Sequence, residues 1–407
     1  MAATRERDGL RGRSKQPVPH PGGLRSVSGP PPEVSVIMPC LNEAATVARC
    51  VGKARLAMER AGLSGEVVVA DNGSDDGSPA LAEAAGARVV AAPVRGYGAA
   101  YLAGLEAARG ALLVLGDADD TYDFAAVPEF VAALKAGSDV VLGSRFRGRI
   151  LPGAMPWLHR YVGNPVLSGI LSLFFGRRVS DAHCGLRAMT REAAERMRLR
   201  SSGMEFASEM VALALRHGLA VAEIPITYYP RSGESKLRSF RDGWRHLRFM
   251  LLLSPTPLFL VPGLVALLVG LAALLALLPG PLLVGGLRFD YHFMFVASAL
   301  AVLGVQLVVL GLAAKSYAGG ELAVRGDRWV AWLDRHFTLE RGLLVGLGMA
   351  AAGVGIDAWI LESWLGAGRG QLFAVRPALV GLSLIVVGAQ VVFGSFFISV
   401  LRDDPRR

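Results

Sequence analysis

The run DADDTYDF at 117–124 carries two carboxylates, Asp117 and Asp119, at positions i and i+2. On an extended turn both point the same way and offer hard oxygen ligands to Mg²⁺ or Mn²⁺, leaving coordination sites for phosphate oxygens. A cation held there would neutralise a departing diphosphate. Acidic pairs at strand ends are also ordinary turn and cap residues, so the pair needs further support before it means chemistry. That support is sought in VVVADNGSDDGS at 67–78 and VSVIMPCLNEAATV at 34–47. Asp71 closes the first apolar run, and its carboxylate could accept hydrogen bonds from a nucleobase N–H; Asn72 and Gly73 after it form a tight turn. Pro39 ends the second run, and Asn42 and Glu43 precede a helix; taken alone, that is a strand, a turn and a cap. Arg145 in GSRF, Arg160, Arg187 in DAHCGLR, and Arg231 with Lys236 in RSGESKL supply cations further on. Guanidinium forks bind phosphate oxygens bidentately, which suits a diphosphate, although surface basic residues are commoner than ligands. Asp181, His183, Glu205 and Glu209 could line an acceptor side, or equally cap helices and satisfy core contacts. Cys184 lacks the context of an activated nucleophile and reads as packing.

Such residues must be gathered by a scaffold. Apolar runs at 34–38, 67–70, 112–115, 140–142 and 221–226 alternate with helical stretches, which predicts an α/β fold with a largely parallel sheet. Asp71, Asp117 and Ser144 stand just past run ends, where open α/β sheets bind ligands. After Arg248 the composition changes: about 257–279, 293–314 and 377–401 reach the roughly 20 apolar residues that span a bilayer. A fourth span at 342–361 is interrupted only by Asp357, close to its far end, and its Gly342, Gly346, Gly353 and Gly355 suit close helix packing.

The whole-chain numbers agree. At 407 residues the protein exceeds a peptide hormone or a lone binding module, and 52% hydrophobic against 19% charged residues requires apolar surface hidden in lipid. A net charge of +9 suits an anionic partner such as a nucleotide, a lipid phosphate or an acidic membrane face; nothing supports nucleic acid. Cys40, Cys50 and Cys184 show no CxxC spacing and read as reduced thiols. Residues 1–33 form a basic, Pro- and Gly-containing stretch without a signal-like apolar run and are expected to be disordered. Lys and Arg concentrate at 231–248, 315–341 and 402–407, so the positive-inside rule puts both termini and the α/β region in the cytoplasm, on four spans of the cytoplasmic membrane. The segment 239–253 reads either as an interfacial amphipathic helix or as an extension of the first span.

A strand ending in PCLNE, a second ending in ADNGSDDGS about 30 residues later and a third ending in DADD resemble, in order and spacing, the family 2 glycosyltransferases. More closely, 34–249 resembles the polyprenyl-phosphate sugar synthases of the dolichyl-phosphate mannose or glucose synthase group. The resemblance implies a GT-A fold at 34–230, a juxtamembrane segment at 231–256, transmembrane helices within 257–401 and a cytoplasmic tail at 402–407. It implies nucleoside binding by Pro39, Asn42, Glu43 and Asp71, a metal-binding DxD at Asp117 and Asp119, and a nucleotide-proximal loop at Arg95, Gly96 and Gly98. Arg145, Arg231 and Lys236 match family positions expected to act in catalysis on the phosphates, with Arg160 and Arg187 as further substrate contacts. RGYGAA also begins like a GxGxxG fingerprint, but Tyr101 occupies the last glycine position. Many dolichyl-phosphate mannose synthases continue DADLQ, with Gln assisting the metal; Thr121 stands there in this chain. Neither the ED pair nor the QxxRW string of family 2 polysaccharide synthases occurs.

The expected reaction is therefore inverting transfer of a hexose from UDP-glucose or GDP-mannose, with glucose slightly favoured, to a polyprenyl phosphate, using Mg²⁺ or Mn²⁺. An anionic phosphate nucleophile needs no carboxylate base. Two rivals stand beside it: transfer to a glycolipid or polysaccharide hydroxyl, and a non-catalytic nucleotide-binding membrane protein that assists lipid-linked sugar handling. A homo-oligomer is left open.

Overall fold

A computed structural model describes residues 31–232, 239–318 and 338–402. The first half is one seven-stranded sheet flanked by helices. In chain order it runs β1 (Val34–Cys40), α1 (Val47–Arg60), β2 (Gly65–Asp71), α2 (Ser78–Ala84), β3 (Arg88–Ala91), α3 (Tyr97–Ala107), β4 (Leu112–Leu115) and α4 (Val127–Lys135). It continues with β5 (Val140–Ile150), α5 (Asn164–Phe175), β6 (Arg187–Thr190), α6 (Arg191–Met197), α7 (Phe206–Arg216) and β7 (Val221–Tyr228). The strand order is β3-β2-β1-β4-β6-β5-β7.

The five expected strands are present, and two more join them. β1, β2, β3 and β4 are mutually parallel, and β5 runs parallel to β7. The short β6 lies antiparallel between β4 and β5. It was missed because RAMT shows neither a long apolar run nor alternation, although its first three residues are buried. Central strands are buried on both faces, as β1 is along nearly its whole length, so covering helices sit on both sides of the sheet. Parallel β1, β2 and β4 all end at one edge, and that edge collects Cys40, Asp71 and the Gly116–Asp117 turn.

The membrane-directed half begins with α8 (Ser239–Leu253), and Ser254 alone separates it from the next helical turn. α8 is thus a separate helix rather than an extension of the first span. Trp244 and Leu252 project from it, 60% and 67% exposed. A second exposed apolar stripe, Trp157, Tyr161, Val166 and Leu173, runs along α5 and the turn before it.

Four apolar helices follow, long enough to cross a bilayer: 256–277 containing α9 (Val261–Leu277), then α10 (Tyr291–Ala318), α11 (Leu339–Gly366) and α12 (Val375–Arg402). They pair as two close hairpins. A Cβ on Gly346 would meet the Gly388 carbonyl at 2.7 Å, and one on Gly353 the Gly381 carbonyl at 2.5 Å. Two glycines seven residues apart on each helix thus form the α11–α12 seam, the small-residue packing that lets backbones approach in lipid. Gly355, also expected at this seam, faces open space, and Asp357 lies against Gly381 in the seam.

Candidate active site

Asp117 and Asp119 hang from the loop after β4. Asp117 is half-buried and accepts hydrogen bonds on one oxygen, Oδ1, from the phenols of Tyr97 and Tyr101, each at 3.0 Å. Burial, and then the charge of Asp119, push its pKa up to about 6. Asp119 is 6% exposed; its Oδ1 accepts from the Thr121 hydroxyl at 2.6 Å and the Thr121 amide at 3.1 Å. Its Oδ2 lies 3.4 Å from the Arg231 guanidinium, which also reaches Glu43 Oε1 at 3.2 Å. Residues remote in sequence, Glu43, Asp119 and Arg231, therefore meet at the carboxyl edge of the sheet. Next to them Asp120, in the left-handed conformation, binds Arg49 and Lys53, so its charge is compensated outside the pair.

This donor set fits a hard divalent cation. The two Asp residues supply only oxygen, and burial with the neighbouring Asp119 charge raises the Asp117 pKa, a penalty that a bound cation would offset. Among the described residues no cluster of three or more His, Cys, Asp or Glu could hold a metal. Two protein carboxylates with the rest of the shell drawn from phosphate and water is the way Mg²⁺ is commonly bound.

The nucleoside-side residues form one hydrogen-bonded loop system. Asn42, at φ 54°, accepts from the Asp75 amide, while its own amide donates to Ser74 Oγ. Asp71 accepts from the amides of Gly73 and Ser74, and Pro39 sits in β1 opposite Ala70. Asn72, which sequence reasoning treated only as a turn former, is a buried fastener: it donates to the carbonyls of Ala92 and Val94 and accepts from the Gly96 amide. Arg95 is exposed at the rim beside Gly73. Gly96 (φ 145°) and Gly98 let the start of α3 press on the 201–203 loop; Cβ atoms there would lie 2.2 Å and 2.1 Å from the carbonyls of Ser202 and Ser201.

Several cations differ from expectation. Arg145 does not present a free fork: its Nε and NH2 grip Asp181 bidentately at 2.7 and 2.8 Å, and its guanidinium stacks 5.1 Å from the Tyr228 ring. Arg187 is likewise a backbone clamp, donating to the carbonyls of Cys184, Ala207 and Ala182. Both are buried, so their partners are protein groups rather than phosphates. Arg160 stacks on Tyr161 within the exposed apolar stripe and makes no contact with the acidic pair among the described residues. Of the basic set, Arg231 alone is seen at the pair; Lys236 lies outside the described residues. Glu209 accepts from the amides of Arg200 and Ser201, holding the loop that packs on α3, while Glu205 Oε2 is buried without a hydrogen bond. His183 Nε2 lies 3.1 Å from Ser208 Oγ, itself 2.8 Å from His246 Nδ1 on α8. Burial, then His246 and two arginines, hold His183 well below its usual pKa. Burial drives the Cys184 thiol up to about 12, consistent with packing.

Sequence reasoning missed Tyr97, Tyr101 and Asn72 as site-building residues. The signal available was the i,i+4 spacing of the two tyrosines at the start of a helix next to a glycine-rich turn.

Residues 35–198 match the model for glycosyl transferase family 2, and residues 312–402 match that for the glycosyltransferase family 2 C-terminal transmembrane region. The low-salt glycan biosynthesis hexosyltransferase Agl6 of Haloferax volcanii is 39% identical over 396 residues, covering 96% of this chain and 95% of that one. The chain belongs to glycosyl transferase family 2. Its sheet order, strand-end acidic pair and four apolar helices make it a GT-A membrane glycosyltransferase. A second relative of this family 2 transferase, the dolichyl-phosphate hexose transferase of Haloferax volcanii, is 34% identical over 213 residues, 52% of this chain and 89% of that one. Among solved structures, glucosyl-3-phosphoglycerate synthase of Mycobacterium tuberculosis with Mn²⁺ and UDP is similar over 54% of this chain and 79% of that one, at 25% identity and a TM-score of 0.44.

Proposed function

We propose that this family 2 transferase moves a hexose from a nucleotide sugar, UDP-glucose or GDP-mannose, to a polyprenyl phosphate, with inversion at the anomeric carbon. The observation that carries the reading is the meeting of Glu43, Asp119 and Arg231 at the sheet's carboxyl edge, on a chain segment that leads into α8 and the spans. A site residue with only seven residues between it and α8 in the sequence favours an acceptor that arrives in the lipid. Likeness to the 34% identical dolichyl-phosphate hexose transferase supports the same acceptor class.

In this reading Asp71, Asn42, Glu43 and Pro39 shape the nucleoside side, with Arg95 at its rim. Asp117 and Asp119 hold Mg²⁺ or Mn²⁺, which when bound neutralises charge on the departing diphosphate. Arg231, with Lys236 five positions on in the sequence, balances phosphate charge. Arg145 and Arg187 act one layer back, by fixing the Asp181–Arg187 segment through Asp181 and backbone carbonyls. The acceptor phosphate is an anion already and attacks in line, so no side chain has to remove a proton. The transferase part spans about 34–230 and faces the cytoplasm by the positive-inside rule, with the exposed stripes of α5 and α8 resting on the bilayer.

The test uses the full-length protein in nanodiscs with Mg²⁺ or Mn²⁺, a polyprenyl phosphate or a sugar-headed lipid as acceptor, and a panel of labelled nucleotide sugars, with Asp119→Ala as control. Label in an acid-labile lipid from one donor is expected. Label only in a lipid whose head group is a sugar hydroxyl would move the acceptor to the rival class.

A further inference from the structure

Each carboxylate of the acidic pair has one oxygen tied to the protein. For Asp119 the tied atom is Oδ1, held by Thr121, and Oδ2 faces Arg231. For Asp117 it is again Oδ1, held by two phenols at 3.0 Å. Asp117 Oδ2 has no hydrogen-bond partner among the described residues and lies 2.5 Å from where a Cβ on Gly185 would sit, so glycine at 185 leaves it room. We propose that Tyr97 and Tyr101 are positioning residues for the donor site, fixing Asp117 so that it offers a single oxygen, Oδ2, to the cation that accompanies the donor diphosphate. The inference rests on Asp117 and Asp119 being the cation ligands.

Two donors on one carboxylate oxygen occupy both of its lone-pair directions, which removes Oδ1 as a ligand and stops the carboxylate rotating about its last torsion. The tyrosines are rigid enough to do this. Tyr97 and Tyr101 sit four residues apart on the first turns of α3, with rings edge-on at 5.0 Å, and Tyr101 is stacked on Phe206 at 5.2 Å. The start of α3 is in turn fixed by the contact of Gly96 and Gly98 with the 201–203 loop, where the amides of Gly98 and Ala99 donate to the carbonyls of Gly203 and Ser202.

A carboxylate limited to one ligand atom suits Mg²⁺, which demands near-ideal octahedral geometry, more than Ca²⁺, which accepts bidentate and irregular shells. Removing the phenols should therefore weaken Mg²⁺ more than Ca²⁺. Partners of metal ligands typically contribute 10–100-fold in metal affinity.

The experiment measures Mn²⁺ binding by electron paramagnetic resonance on the full-length protein in detergent with UDP or GDP and no sugar donor. Mg²⁺ and Ca²⁺ compete, and thermal unfolding is followed in parallel. The proteins are wild type, Tyr97→Phe, Tyr101→Phe, the double variant and Asp119→Ala. The expected result is a roughly 10–100-fold loss of Mg²⁺ affinity in the double variant with about threefold or less for Ca²⁺. The single variants fall between, which preserves the test should the double variant not fold. Unchanged affinities, or an equal loss for both ions with a lowered unfolding midpoint, would overturn the positioning role. If Asp119→Ala abolishes Mn²⁺ binding while the tyrosine variants bind as wild type, this inference alone fails. Should wild type bind no Mn²⁺ with either nucleotide, the cation reading of the pair falls with it.

Discussion

Asp117→Asn separates the charge of the acidic pair from its shape. Asn keeps a carbonyl oxygen for the two phenols but has no carboxyl to ionise. In the folded wild type the Asp117 pKa stands at about 6, against about 3.9 for an exposed Asp. The folded state thus holds this proton more tightly than the unfolded chain does. Its contribution to stability is complete below about pH 4 and is lost as pH rises through about 6. Two units correspond to at most about 3 kcal/mol, at 1.36 kcal/mol per unit, and solvent at the half-buried carboxyl reduces it. Relative to wild type, the metal-free variant should therefore gain up to about 3 kcal/mol between pH 4 and pH 7. For a domain of this size that upper bound is roughly 6–12 °C in unfolding midpoint. The assay is thermal unfolding of the full-length protein in detergent with a chelator, followed by intrinsic fluorescence at four pH values from 4 to 7.5. A second arm adds Mn²⁺ and a nucleoside diphosphate at about 100 times Kd, which should stabilise wild type by about 2.7 kcal/mol and the variant far less. A wild-type-minus-variant difference that stays flat with pH, or a variant less stable at pH 7, would refute the claim that burial and the Asp119 charge hold the Asp117 carboxyl protonated above its ordinary range.

Other substitutions follow from the same geometry. Asp181→Asn should destabilise the α/β region by about 3–5 kcal/mol, because it strands the buried Arg145 guanidinium; adding Arg145→Met should recover part of the loss, as read by unfolding midpoints. Gly98→Ala places a Cβ 2.1 Å from the Ser201 carbonyl and should displace the 201–203 loop, lowering stability by about 1–3 kcal/mol and sugar transfer more than tenfold with the helical content of the spans intact by circular dichroism. Arg231→Ala should reduce kcat/KM at least tenfold, about 1.4 kcal/mol, with Arg231→Lys between it and wild type, measured by lipid-product formation.

The architecture was legible in the sequence because strand ends announce themselves. Apolar runs closed by Pro39, Asp71 and Asp117 mark both the strands and the edge where they converge, and three stretches of about 20 uncharged residues can hardly be read as anything but spans. β3 and β6 were illegible, since four residues carry too little periodicity to register. The arginines show a different limit. Arg145, Arg187 and Arg231 look alike in one dimension, and only burial separates them: the first two are enclosed and bound to Asp181 and to carbonyls, while the Arg231 side chain keeps 25% of its surface exposed beside Asp119. Desolvating a guanidinium is so unfavourable without full hydrogen bonding that a buried arginine must already be satisfied by the protein, and what is satisfied cannot also hold a ligand without breaking its scaffold. The same accounting explains the tyrosines. A half-buried carboxylate such as Asp117 requires donors, and only the fold reveals that the i,i+4 pair at the start of α3 supplies them. Residues that touch the ligand can thus be guessed from type and spacing, whereas those that aim them become visible only when every buried donor and acceptor is traced to its partner.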